Sequence, residues 1–216
     1  MRVAVAHPAY RRTREGALDG RRGAGSAALL RLRRGGRYSL PPLRDGAALR
    51  PGGPPVPGAE RVLAAWAYEG GARTLVLELK LEGARVAATA LVDAMRDAVA
   101  RSGIAAEVVT WVPGRASDIR RRGFDHAEVL ARGLAAAVGL PAVQLLHRAA
   151  AARDQASLSR RERRRNLVGV FRSRECDRHV LLVDDLLTTG ATAGACVSAL
   201  RAGGARSVEV VVACRA

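Results

Sequence analysis

The stretch that decides the fold is His179–Leu200, HVLLVDDLLTTGATAGACVSAL. An apolar run, Val180–Val183, leads into two adjacent acids, Asp184 and Asp185. A loop of small and hydroxyl residues follows, Thr188-Thr189-Gly190-Ala191-Thr192. Apolar residues then recur at helical spacing, at Ala193, Cys196, Val197 and Leu200. The spacing predicts a strand, a loop and the start of a helix.

A helix N-terminus offers unpaired N–H groups and the positive end of its dipole, which favours a phosphate. Gly190 lets the backbone approach closely, and Thr188, Thr189 and Thr192 add hydroxyl donors. The acids fall at the strand's carboxyl end, where ligands bind in open α/β sheets. Paired carboxylates there suit the diol of a ribose, whose O–H groups they accept, or a hydrated Mg²⁺. The stretch thus predicts a 5-phosphorylated ribose, with sugar hydroxyls on the acids and phosphate on the loop. A plain helix cap is the competing reading, since Asp and Thr both cap well. No Gly-Lys-Ser/Thr follows the glycine, so this is not a Walker A loop.

VLLVDDLLTTGAT resembles the phosphoribosyl-pyrophosphate (PRPP) signature of type I phosphoribosyltransferases. The resemblance implies an α/β fold with a mostly parallel twisted sheet and helices on both faces. It also implies PRPP as ligand, with Mg²⁺ held through water by Asp184 and Asp185.

The chain has 216 residues, enough for one α/β domain with a small appendage. Aromatic residues are only 3%, so the core must be built from Val, Leu and Ala. Formal charge is +16, and Lys80 is the single lysine among 36 basic side chains. Attraction to phosphates or nucleic acid is one reading of that charge. The arginine bias of a GC-rich genome is the other, and it accounts for most of the excess. Cys176, Cys196 and Cys214 lie far apart, with no CxxC pair to suggest zinc or a disulfide framework. Cys196 and Cys214 read as packing residues. No apolar run reaches membrane-spanning length, and no signal-peptide core is visible at the N-terminus. These features predict a cytoplasmic protein without a membrane anchor.

Residues 1–58 read as a basic, loosely folded arm. After a short strand at Met1–His7, Arg/Gly clusters run into the Pro/Gly linker PGGPPVPG at 51–58. Contact with single-stranded DNA is the sharper reading of the arm, and a solvated tail the plainer one. Residues 59–216 form the phosphoribosyltransferase-like domain. Strands are predicted at Val62–Tyr68, 107–112, 142–147, Val168–Phe171, Val180–Val183 and Ser207–Ala213. Helices are predicted at Ala72–Leu81, at Arg85–Arg101 with Val86, Ala90, Met95 and Val99 inward, and at Asp125–Val138 with Val129, Leu130, Leu134 and Val138 inward. A last helix runs to Ala202.

After the 107–112 strand come Pro113, Gly114, Arg115 and the group Arg120, Arg121 and Arg122, read as a turn. Guanidinium is a bidentate partner for phosphate, so this turn is the candidate pyrophosphate site; an exposed basic loop is the alternative. The polar, basic segment 148–166 reads either as a solvated face or as a mobile lid over an anionic ligand.

Three further stretches extend the resemblance: YEGGARTLVLELK from Tyr68, WVPGRASDIRRRGFDHAEVLA from Trp111, and RDQASLSRRERRRNLVGVF from Arg153. Together they resemble the ComF family of predicted phosphoribosyltransferases, linked to competence for DNA uptake. The matching positions are Tyr68, Gly70 and Lys80; Val112, Pro113, Arg115, Arg122, Gly123 and Phe124; and Gln155, Leu158, Arg163 and Asn166. Two departures stand out. The family's N-terminal Cys-rich zinc ribbon is missing, so no zinc is expected. Where the family has Arg-Gly-Phe-Asn-Gln, this chain has Arg122-Gly123-Phe124-Asp125-His126. His126 suits a general base, but the start of a helix favours a capping role for Asp125 and a surface role for His126. Related folds often dimerise, which makes a homodimer one possible assembly; the sequence itself does not give the oligomeric state.

Overall fold

A computed structural model describes residues 56–149 and 169–216. The remaining positions lie outside the described residues. With them go the expectations for the arm, its strand and linker, the basic lid, and Gln155, Leu158, Arg163 and Asn166.

Six strands and five helices are described. In chain order they are β1 (Val62–Ala67), α1 (Gly70–Glu82), α2 (Arg85–Ser102), β2 (Val108–Trp111), α3 (Ala116–Arg122), α4 (His126–Val138), β3 (Leu146–Arg148), β4 (Phe171–Ser173), β5 (His179–Leu187), α5 (Ala191–Ala202) and β6 (Ser207–Arg215). Four strands form a fully parallel sheet in the order β1-β6-β5-β2. Because every strand points the same way, one edge of the sheet collects all four carboxyl ends. Trp111 of β2 sits opposite Val183 of β5, so the arginine turn and the acid pair leave the sheet side by side.

The two central strands are buried on both faces, which is why they read as continuous Val/Leu runs. On one face Val180, Leu182, Val208, Val210 and Val212 pack with Ala193, Cys196, Val197 and Leu200 of α5. On the other lie α2, against β1 and β6, and α4, against β2 and β5. This is the expected architecture of a parallel sheet with helices on both faces.

Local departures have clear causes. Val86 and Val129 do not face inward; they are 46% and 37% exposed. The buried stripes of α2 and α4 are instead rich in alanine: Ala87, Ala90, Ala94 and Ala98 on α2, and Ala127, Ala131 and Ala135 on α4. Small side chains let the two helices approach closely. A Cβ on Gly133 of α4 would lie 2.8 Å from Val92 Cγ2 of α2. The stretch after Arg115 is not a turn but the seven-residue helix α3, stopped by Gly123 in the left-handed region (φ +81°).

The strand expected at 142–147 is displaced. Only Ala142 bridges to Val109, extending the sheet beyond β2. The strand proper is β3, paired antiparallel with β4 in a separate two-stranded ribbon. Likewise, β4 begins at Phe171, where the run from Val168 was expected to end. Thr110, fully buried in β2, accepts the backbone N–H of Leu145 and ties the ribbon's approach to the sheet. No helix among the described residues is long and apolar enough to cross a membrane.

Candidate functional site

The acids sit near the end of β5, which runs past them to Leu187 instead of stopping at Val183. The two carboxylates lie close together, an oxygen of each within 4.8 Å of the other, but they meet different surroundings. Asp184 lines a small pocket with Leu186, Leu187 and the loop Thr188–Ala193. Gly190 adopts the left-handed region (φ +73°) as the N-cap of α5. Thr188 and Thr189 are exposed, and Thr189 Oγ1 accepts the Ala191 N–H at 3.4 Å. Asp184, Thr188, Thr189, Gly190, Ala191 and Thr192 therefore share one pocket, as the sequence predicts.

Asp185 has other partners. Its side chain is 4% exposed, and Lys80 Nζ from α1 lies 2.8 Å from its Oδ2. His126 Nε2 from α4 approaches the same oxygen at 3.5 Å. The surface position expected for His126 is thus wrong: its side chain is 16% exposed and turned toward the acids, because the start of α4 abuts the end of β5. The capping role expected for Asp125 holds, since its Oδ1 accepts the Ala127 N–H at 3.1 Å.

The two acids have opposite proton affinities. Burial, and then the charge of Asp185, holds the Asp184 carboxyl well above the usual carboxylate range. Burial pushes Asp185 up as well, but the His126 hydrogen bond and the Lys80 charge outweigh it, so Asp185 lies below its ordinary value. Adjacent carboxylates divided in this way carry their first proton on Asp184.

On the neighbouring strand end, three contacts pin the loop Val112–Arg115. The Val112 N–H donates to Val183 O at 3.0 Å. The Gly114 N–H donates to Asp125 Oδ2 at 2.8 Å. Arg148 Nε donates to Pro113 O at 3.0 Å, with its guanidinium 4.7 Å from the centre of the Phe171 ring. An acid at position 125 is thereby explained. Its two oxygens each accept one backbone N–H, whereas an amide has one accepting oxygen. Burial, and then the charge of Arg115, lowers the pKa of Arg148, so two guanidiniums share this end of the cleft.

The six residues of the arginine turn are not equivalent. Pro113, Gly114 and Arg115 leave β2 beside the acid strand. Arg120, Arg121 and Arg122 lie on the last turn of α3. Arg121 is 70% exposed and paired with Asp118 at 3.1 Å, and Arg122 Nη1 lies 3.4 Å from His126 Nδ1.

Three residues beyond the predicted set join the site: Lys80, His126 and Arg148. Lys80 had a signal, as the one lysine in an arginine-rich chain. Arg148 opens a basic block and offered none. Cys196 and Cys214 are buried packing residues; burial pushes both thiols up, Cys214 to about 12.

One carboxylate of this cluster would suit a hydrated divalent cation. His126, Asp184 and Asp185 offer ligand atoms within 4.8 Å of one another, and no other such group occurs among the described residues. With Lys80 on Asp185, Asp184 is the acid better placed to meet a hydrated ion.

No protein-family model matches the chain. Over 98 residues it is 37% identical to "DNA utilization protein YhgH" of Salmonella typhi, a match covering 44% of this chain and 43% of that one. The match thus takes in less than half the length of the relative. Among solved structures, an allosteric regulatory enzyme of purine biosynthesis aligns with TM-score 0.41 and 24% identity, over 59% of this chain and 26% of its own. Adenine phosphoribosyltransferase from Leishmania tarentolae aligns with TM-score 0.38 and 18% identity, over 61% and 58%. The chain is thus similar over 98 residues to a relative named for DNA utilization, and its four-stranded sheet is fully parallel.

Proposed function

We propose that this ComF-like chain binds PRPP with Mg²⁺ and transfers its phosphoribosyl group to an acceptor. The observation that carries the reading is the pocket in which Asp184 and the Thr188–Thr192 loop meet at the carboxyl edge of the sheet. The loop takes the 5-phosphate through the N–H groups at the start of α5 and the threonine hydroxyls. Asp184 accepts the ribose hydroxyls. Arg115 and Arg148 offset the charge of the departing pyrophosphate, Arg148 from a position already held by Pro113 O, so that it needs no rearrangement as the bond breaks. Asp184 would hold Mg²⁺ through water, and the ion would supply charge neutralisation there. The residues act by positioning and electrostatics, so no side-chain nucleophile is invoked.

Calorimetric titration of PRPP with and without Mg²⁺ tests the binding step, and release of pyrophosphate across a panel of purine and pyrimidine bases tests transfer. Saturable, Mg²⁺-dependent PRPP binding is expected; heat indistinguishable from dilution would sink the reading. A role in DNA handling is the second reading, favoured by the +16 charge and by the name of the Salmonella relative. It predicts a gel shift with single-stranded DNA that weakens steeply as salt rises.

A further inference from the structure

Lys80 is unusual on two counts. It is the chain's single lysine, and it sits two residues from the end of α1, with its side chain 26% exposed. A cation in the last turn of a helix is ordinary on dipole grounds alone. What is not ordinary is its target, a carboxylate 4% exposed on a strand of the central sheet, 2.8 Å away. The same Oδ2 is faced by His126 at 3.5 Å. Arg122 Nη1 lies 3.4 Å from the other ring nitrogen, Nδ1. One oxygen of Asp185 is thus held from α1 and from α4.

We propose that Lys80 is a positioning residue: through Asp185 it fixes the end of β5, so that Asp184 presents its carboxylate to the Thr188–Thr192 pocket. The inference rests on the PRPP reading and goes beyond it by dividing the acid pair. Asp184 meets the ligand; Asp185 is the anchor. The backbone between them is already ordered by a local contact, since Asp184 Oδ1 accepts the Asp185 N–H at 2.9 Å. Releasing Asp185 therefore disturbs Asp184 directly. A compact ammonium suits this place, because it delivers a point charge without the planar fork of arginine.

The test is a double-mutant cycle on PRPP affinity, read by calorimetry with Mg²⁺ at a temperature well below each variant's unfolding midpoint. Lys80→Met is expected to weaken PRPP binding about tenfold, the scale of one lost charge-assisted contact. Lys80→Arg, which keeps the charge, should recover binding to within about threefold of the wild type. Since Lys80 acts through Asp185, Lys80→Met/Asp185→Asn should bind no more weakly than Asp185→Asn alone. If Lys80→Met does not fold, Lys80→Gln takes its place in the cycle, with the same expectations. Wild-type affinity in the neutral variants, or a double variant whose loss is the product of the two single losses, would overturn the proposal while leaving PRPP binding intact. Absence of PRPP binding by the wild type would overturn the functional reading and this proposal together.

Discussion

The acid side of the cleft, Asp184 to Thr192, and its arginine side, Val112 to His126, draw their parts from different distances along the chain. The acid side is contiguous: one strand end, one loop and one helix start make the pocket. The arginine side is assembled from afar. Its loop is held by Asp125 and, from 35 residues further along the chain, by Arg148. The difference is also one of hydrogen-bond supply. On the acid side Thr188 and Thr189 are exposed to an incoming ligand. On the arginine side the Gly114 N–H and the Pro113 carbonyl are already engaged, so what that loop offers a ligand is charge on a fixed frame. Asp185 belongs to the acid pair by sequence but to the second pattern by structure, since its partners come from α1 and α4.

If that contrast is right, long-range partners should matter most for stability and local ones for ligand. The largest expected effect is at Asp185. Asp185→Ala strands Lys80 beside the sheet without its counter-charge and should cost about 3 kcal/mol, read from urea unfolding midpoints. A loss within about 0.5 kcal/mol, the range of surface substitutions, would place the ion pair among the inconsequential ones.

Next comes Asp125. Asp125→Ala removes both a helix cap and the Gly114 anchor and should cost about 2 kcal/mol. Asp125→Asn retains one accepting oxygen and should cost about half as much. Equal losses in the two variants would show that the contact the amide retains contributes nothing.

The smallest expected change has the opposite sign. The folded-state pKa of Asp184 is raised, so the native state takes up its proton before the unfolded chain does. Its contribution to stability therefore falls as pH rises from the ordinary carboxylate value, about 3.9, through the raised folded value. Asp184→Asn should accordingly unfold at a higher temperature than the wild type at pH 7, with the gap closing toward pH 3. Asp185 runs the other way. Its folded-state pKa is depressed, so its stabilisation is present above the ordinary carboxylate value and is lost as pH falls through the folded one.

How much of this was legible in the sequence follows the same division. The β5–α5 unit could be read because its signals are local: an apolar run, two acids, a glycine that must take a left-handed turn and a helical period. The edge on which ligands gather followed from strand alternation alone. The misreadings came where neighbours distant in sequence decide the outcome. His126 looked like a surface residue because a helix start is usually exposed; here α4 begins against the end of β5. Val86 and Val129 looked like core because valine is apolar, but the two helices approach through alanine and Gly133, and these two valines fall outside the buried stripe that Leu91, Met95, Leu130 and Leu134 share with the alanines. The arginine turn hid a short helix because seven residues with three consecutive arginines carry too little periodicity to announce one. Arg148 looked like the first charge of a basic block, yet it reaches back to Pro113 across 35 residues.

One variant tests the central claim, that Asp184 is the ligand-facing acid, most directly. PRPP affinity of Asp184→Asn, measured by calorimetry in Mg²⁺ beside its thermal midpoint, should fall about a hundredfold, the scale of a lost charged hydrogen-bond partner, while the midpoint at pH 7 rises. An Asp184→Asn protein that binds PRPP as tightly as the wild type would contradict the account.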